Sequence, residues 1–339
     1  MSESFHVLTI PFLLAMFVAV NMGGSGTAPA FAAAYGAKAI RQSIIPGLFG
    51  ITVLAGALLA GRQVSLTLGE GLLEQEFFTP FTTSVILFSV GATLLLANLL
   101  GVPQSTSQST VMSIAGAALA VNGLNTHTLF YEILPTWFVL PVISFVIMLA
   151  LAKWILPPLR DRLLPTDTAY LQQHAGVRTL LIGSALYVAF SIGANNVANA
   201  AAPIASLTAN EMGEVSLTNF LPILILSVLI VAPCFAIGSS LLGHKVTATT
   251  GRDIVAVTPL YASVIGLLVA SLLLLASVTK GIPTSLVQLN GAAFIALSVS
   301  KKGYRATFTN PTVRKFFSVW AVAPAAAFLL SYLILRVAG

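Results

Sequence analysis

Tyr187-Val188-Ala189-Phe190-Ser191-Ile192-Gly193-Ala194-Asn195-Asn196-Val197-Ala198-Asn199-Ala200 is the stretch that decides how this chain is read. Asn195 and Asn199 are spaced to share one helical face, and Asn196 lies between them. The same pattern occurs without gaps 170 residues earlier, as Phe17-Val18-Ala19-Val20-Asn21-Met22-Gly23-Gly24-Ser25-Gly26-Thr27-Ala28-Pro29-Ala30. Two further matches follow in the same order. Gly61-Arg62-Gln63-Val64, with Thr67 and Gly69, returns as Gly243-His244-Lys245-Val246, with Thr249 and Gly251. Gly101-Val102-Pro103-Gln104-Ser105, with Gln108, returns as Gly281-Ile282-Pro283-Thr284-Ser285, with Gln288. Three ordered matches at nearly one offset indicate two related halves: residues 1–157 and 179–339, joined by a connecting loop at 158–178.

Of the 339 residues, 57% are hydrophobic and 8% charged, against about 45–50% and about 25% in a soluble domain. Apolar residues run in blocks of about 18–25, the length of a bilayer-spanning helix, and they do not alternate as barrel strands do. The fold class is therefore an all-α polytopic membrane protein, expected in the plasma (inner) membrane. The net charge of +6 is read as loop lysines and arginines on the inner face, so no nucleic-acid partner is expected. Cys234 is the single cysteine, which excludes disulfide frameworks and thiol redox pairs. The apolar run 7–20 followed by Phe31-Ala32-Ala33-Ala34 imitates a signal peptide, but its internal copy argues against cleavage.

Spans in the first half read as a broken segment (7–20, then 28–37), 43–60, 81–100, a segment opening at Pro103, and 133–152. The second half repeats them at 180–192 with 197 onward, 217–242, 260–278, a segment opening at Pro283, and 316–335. Lys38 and Arg41 mark an inner loop, Glu70, Glu74 and Glu76 an outer one, and Lys153, Arg160, Arg162 and Arg178 an inner connection. In the second half Glu211 and Glu214 are outer, whereas His244, Lys245 and Arg252 are inner, as are Lys301, Lys302, Arg305, Arg314 and Lys315. Corresponding loops thus fall on opposite faces. This predicts two inverted-topology repeats with broken or re-entrant helices, about 10 net crossings from about 12 helical segments, and both termini outside.

Interrupted helices in inverted repeats bring half-helix ends together near the midplane, where they hold a small solute. The candidate substrate-binding residues are Ser25, Gly26, Thr27, Ser105, Thr106, Ser107, Gln108, Asn195, Asn196, Asn199, Ser285 and Gln288. Lys280, beside the second Pro motif, reads as a snorkelling span end. The four histidines are scattered in loops and ends, so no metal site is expected. An enzyme is disfavoured because no intramembrane pair of nucleophile and base exists.

These breaks resemble the inorganic phosphate transporter (PiT) family. Its signature, Gly-Ala-Asn-Asp-Val-Ala-Asn-Ala, is similar to Gly193-Ala194-Asn195-Asn196-Val197-Ala198-Asn199-Ala200, and its Pro-Val-Ser-Thr-Thr-His segment to Pro103-Gln104-Ser105-Thr106-Ser107-Gln108. The resemblance implies secondary transport of an inorganic oxyanion with symported Na⁺ or H⁺. Two departures matter: the signature acid is Asn196, and the copy at 21–27 has no acid. All ten carboxylates fall in loops or segment ends. Phosphate keeps a proton near neutral pH and wants an acceptor, whereas sulfate only accepts, so a donor-only site suits sulfate. The small residues at 21–27 with Gly101-Val102-Pro103-Gln104-Ser105-Thr106-Ser107 resemble the sulfate permease branch. The expectation is uptake of inorganic sulfate by alternating access with protons rather than Na⁺, no cofactor, and an assembly compatible with a homodimer. The alternatives are a phosphate:cation symporter of the same family and a passive anion channel.

Overall fold

The computed structural model describes residues 2–101, 104–163, 175–213, 217–247 and 257–338. Their helices, in chain order, are α1 (Ser2–Gly36), α2 (Ile45–Ala60), α3 (Arg62–Leu66), α4 (Pro80–Leu99), α5 (Thr106–Ala120), α6 (Leu134–Ala150), α7 (Leu156–Leu163), α8 (Ala175–Asn196), α9 (Ala198–Glu211), α10 (Leu217–Thr247), α11 (Pro259–Lys280), α12 (Leu286–Lys302), α13 (Tyr304–Phe308) and α14 (Pro311–Ala338). Eight helical stretches among these residues are long and apolar enough to cross a membrane. Their large apolar side chains divide between a buried core and an exposed belt that includes Ile51, Leu59, Phe138 and Leu329, as expected where lipid is the outer solvent.

α5 and α12 are shorter, with 15 and 17 residues, or about 22–26 Å at 1.5 Å per residue. Each packs on the helix before it and returns to the face from which that helix started. In the first half a backbone bridge joins Leu73 to Leu124, and the Asn125 N–H donates to the Leu72 carbonyl at 3.1 Å. In the second half the Lys301 ammonium stands 5.2 Å from the Tyr261 ring centre, tying the end of α12 to the start of α11. The two turnarounds share a left-handed glycine, Gly101 (φ 61°) and Gly281 (φ 62°), a conformation that costs glycine nothing.

The halves interlock. α1 packs on α10, and α8 packs on α2, so each half's first helix lies against the other half's second. Glycines make both approaches close. A Cβ on Gly23 would lie 2.2 Å from the Phe235 carbonyl oxygen, and one on Gly238 would lie 1.9 Å from that of Val20. The other crossing repeats this with Gly193 against Val53 and Gly56 against Phe190, each at 2.0 Å. The last helices cross over in the same sense. On α14, Ser331 donates to the Ser113 carbonyl of α5 at 2.7 Å; on α6, Ser144 donates to the Leu289 carbonyl of α12 at 3.0 Å. Small residues and interhelical hydrogen bonds take over where lipid supplies no hydrophobic drive. Gly193→Ala is therefore expected to force α8 from α2 and cost about 3 kcal/mol, near the upper end of overpacking effects. A thermal midpoint in detergent equal to wild type would rule out this crossing as drawn.

Three expectations change. α1 is continuous through residues 21–27 although Pro29 lies within it; packing against α10 holds the helix across glycines that break helices in water. The second break is a single residue: Val197 keeps helical angles (φ −61°, ψ −34°) between α8 and α9. α10 extends to Thr247, so Gly243-His244-Lys245-Val246 is helical rather than loop. Pro103, Thr249, Gly251, Glu214 and Arg252 lie outside the described residues.

Candidate functional site

The helix starts that matter are those of α5 and α12. Ser105 precedes α5 in an extended conformation, and its hydroxyl accepts the Gln108 N–H at 3.2 Å; Ser285 does the same for Gln288 at 3.1 Å. Each cap satisfies one orphan amide and leaves first-turn N–H groups open at the positive end of a helix dipole. Both ends converge on Asn195, which has no exposed surface. Its Oδ1 accepts from the Ser107 hydroxyl at 3.0 Å and from the Thr284 N–H at 3.3 Å. Its Nδ2 donates to Ser277 Oγ at 2.8 Å and to the Ile282 carbonyl at 3.3 Å. One amide thus joins the signature helix to both turnarounds.

Beside it, Asn196 Nδ2 donates to Thr106 Oγ1 at 2.9 Å, and Asn199 Nδ2 reaches Ser107 Oγ at 3.3 Å and Thr106 Oγ1 at 3.5 Å. Asn199 also approaches the Met22 sulfur at 3.9 Å, which brings α1 to the cluster. Among the described residues, four amide oxygens here are buried without a partner: Gln108 Oε1, Asn196 Oδ1, Asn199 Oδ1 and Gln288 Oε1. Unpaired polar groups at this density mark a place built for something polar. Rotating the Asn196 amide by 180° lets the Thr106 hydroxyl donate to Oδ1 and turns N–H groups into the free position. The cluster can therefore present acceptors or donors, and the expectation of a donor-only site is too narrow.

Of the twelve sequence candidates, nine come together here. Thr106, Ser107, Asn195, Asn196 and Asn199 form the network, Ser105 and Ser285 cap its helices, and Gln108 and Gln288 stand at the first turns. Ser25, Gly26 and Thr27 do not join it. The Ser25 hydroxyl donates to the Met22 carbonyl at 3.1 Å and the Thr27 hydroxyl to the Gly23 carbonyl at 2.7 Å, both within α1. Gly26 faces Phe49 and Ile192. Since α1 does not break there, no helix start exists near Gly26 to attract an anion. Thr284 and Ser277 were not among the candidates. Thr284 occupies the position equivalent to Gln104 and was legible from the repeat; Ser277 sits in an apolar stretch with nothing in the sequence to single it out.

No carboxylate belongs to the cluster. The sequence has none at positions 4–69, 77–131, 168–210 or 254–339, which include every residue just named. Glu70, in the π-helical turn Thr67–Gly71, is half-buried, and burial pushes its carboxyl pKa up. Among the described residues no group of three or more His, Cys, Asp or Glu could hold a metal ion.

Comparison with known proteins places the chain among membrane permeases. The chain is 28% identical to a protein named sulfate permease CysP from Bacillus subtilis, over 95% of this chain and 85% of that one. It is 23% identical to "Putative phosphate permease PF1020" from Pyrococcus furiosus, over 97% and 96%. A solved structure titled as the sodium-dependent phosphate transporter has the same fold, with a TM-score of 0.82 at 23% identity, covering 98% of this chain and 99% of that one. Residues 22–331, which contain the whole amide and hydroxyl cluster, match the family model described as the phosphate transporter family. The chain belongs to that family and is a multi-pass membrane permease, not an enzyme.

Proposed function

We propose that the protein takes up inorganic sulfate as a secondary active transporter, with the anion held where α5, α12 and the signature asparagines meet. The observation that carries this reading is the missing carboxylate at Asn196, in a network of hydroxyls, amides and open helix-start N–H groups. These replace the hydration of a tetrahedral dianion without adding negative charge. The similarity to a protein named as a sulfate permease supports it. A second reading, phosphate, is favoured by the four unpaired amide oxygens, because a protonated phosphate can donate to them.

A dianion entering against an inside-negative potential is opposed by about 4.6 kcal/mol per 100 mV, so concentrative uptake needs at least two cations. With no carboxylate to hold Na⁺, protons are the proposed partner. In proteoliposomes, labelled sulfate uptake is expected to saturate, show counterflow and accelerate with an acidic exterior, while replacing Na⁺ by K⁺ changes little. Phosphate in tenfold excess that abolishes uptake would transfer the assignment to phosphate; absence of counterflow would indicate a channel.

The proposal extends to topology in the plasma membrane. Each half makes five passes if α5 and α12 are counted, and an odd number inverts the second half relative to the first. With the positive-inside rule this puts both termini outside. Cysteines introduced at Ser4 and Gly339 in intact cells should react with an impermeant thiol reagent, and labelling only after the membrane is opened would reverse the assignment.

A further inference from the structure

A cavity apart from the amide cluster, part polar and part apolar, lies between α1, the start of α2 and α10. It has a volume of about 470 Å³ and is lined by Thr27, Tyr35, Gln42, Ser43, Ser239 and Ser240, among others. Ser239 is 5% exposed, and its hydroxyl is buried there without a partner among the described residues. The Ser240 and Thr27 hydroxyls are satisfied within their own helices, on the Ala236 and Gly23 carbonyls at 3.1 and 2.7 Å. A buried hydroxyl left unsatisfied at the wall of a roomy cavity is a donor waiting for an acceptor.

Three features bear on what that acceptor is. No carboxylate lines the cavity among the described residues, and the loop between Tyr35 and Gln42 carries exposed Lys38 and Arg41, so these groups favour an anion. Position comes second: Met22 touches Asn199 of the central cluster, and Thr27 lines the cavity five residues further along α1, about 7.5 Å of helix rise. The third is asymmetry. The repeat offsets map Thr27, Tyr35, Ser239 and Ser240 onto Val197, Ala205, Ala57 and Leu58, so the corresponding positions of the other half are apolar. Polarity needed only for folding would recur in both halves; here it is confined to one.

We propose that this cavity is a second oxyanion station on the transport path, on the membrane face that carries Lys38 and Arg41, with the Ser239 hydroxyl as its principal donor. The inference rests on the oxyanion-transport reading above. An anion leaving the amide cluster toward that face would pause here, its charge met by a hydroxyl and by the field of the two basic residues. The chemistry recognised is that of a tetrahedral oxyanion, which a lipid phosphate headgroup shares.

The test uses full-length protein with Cys234→Ala as background and Ser239→Cys as probe, in proteoliposomes of purely zwitterionic lipid. An anionic methanethiosulfonate reagent applied from the Lys38–Arg41 face should react, and millimolar sulfate, unlike chloride of equal ionic strength, should slow it. Separately, Ser239→Ala should raise the KM for sulfate measured from that face by about tenfold, the loss of one hydrogen bond to an ion, with Ser239→Thr restoring it. The KM from the opposite face should shift far less. No protection by sulfate, or an equal KM shift on both faces, overturns the station. Protection that appears only when anionic lipid is included and is indifferent to sulfate gives the cavity to a headgroup and also overturns it. Wild-type protein that moves no labelled oxyanion defeats the transport reading instead, and the two failures are therefore distinct.

Discussion

Asn196→Asp should lower sulfate transport by at least about 1000-fold at neutral pH, because a single pair of unit charges at 4 Å repels by about 4 kcal/mol at an effective dielectric of 20, about three orders of magnitude, and the substrate carries two charges. The fold is expected to survive. Aspartate is nearly isosteric with asparagine, and the Thr106 hydroxyl that now accepts from Asn196 Nδ2 at 2.9 Å can turn and donate to a carboxylate instead. The loss should therefore be in flux, not in the thermal midpoint, and should shrink as the medium is acidified and the new carboxyl takes up a proton. Phosphate uptake gained by the same variant would mean that this side chain selects between the two anions. Undiminished sulfate flux would show that Asn196 does not face the substrate.

Asn195→Ala should act on both folding and transport. It strands the Ser107 hydroxyl and the Thr284 N–H, both of which now donate to Asn195 Oδ1, and takes a donor from Ser277 Oγ. Leaving two buried polar groups unmade costs about 2–6 kcal/mol, and it releases the starts of α5 and α12 from their common anchor. A clearly lowered thermal midpoint in detergent, with flux lost even in the fraction that stays folded, is the expected result. Wild-type stability would mean that water fills the site and that Asn195 does not hold the two turnarounds together.

The class of protein was legible because lipid imposes the simplest constraint a sequence can meet: long apolar blocks with charges pushed to the ends. The cluster was largely legible too. Hydroxyls and amides such as Ser107 and Asn195 stand out in apolar surroundings, and the repeat flagged both Pro motifs at once. What misled was glycine. Gly23-Gly24-Ser25-Gly26 reads as a break by intrinsic propensity, yet those glycines serve contact: Gly23 admits the Phe235 backbone and Gly24 packs on Leu242. The partner lies more than 200 residues away, and no local pattern encodes it. Ser25 and Thr27 stand apart from the amide cluster for the same reason, since a continuous α1 gives their hydroxyls carbonyls of their own helix. Their neighbourhood kept a polar role through Thr27 and Ser239, which a search for broken helices passes over.

The exchanged partnership of α1 with α10 and α8 with α2 also sets a schedule for biosynthesis. When α1 and α2 leave the ribosome, the surfaces that cover Gly23 and Gly56 have not been made. At 5–20 residues per second, the wait for α8 and α10 lasts roughly 10–40 s. During it, a helix with a glycine-lined face, and one with a buried amide at Asn21, stand in lipid or against the insertion machinery with no native neighbour. Neither half can finish assembling alone. The chain therefore becomes a folded unit late and all at once, and two separately expressed halves would have to find each other in the bilayer before either acquired its core.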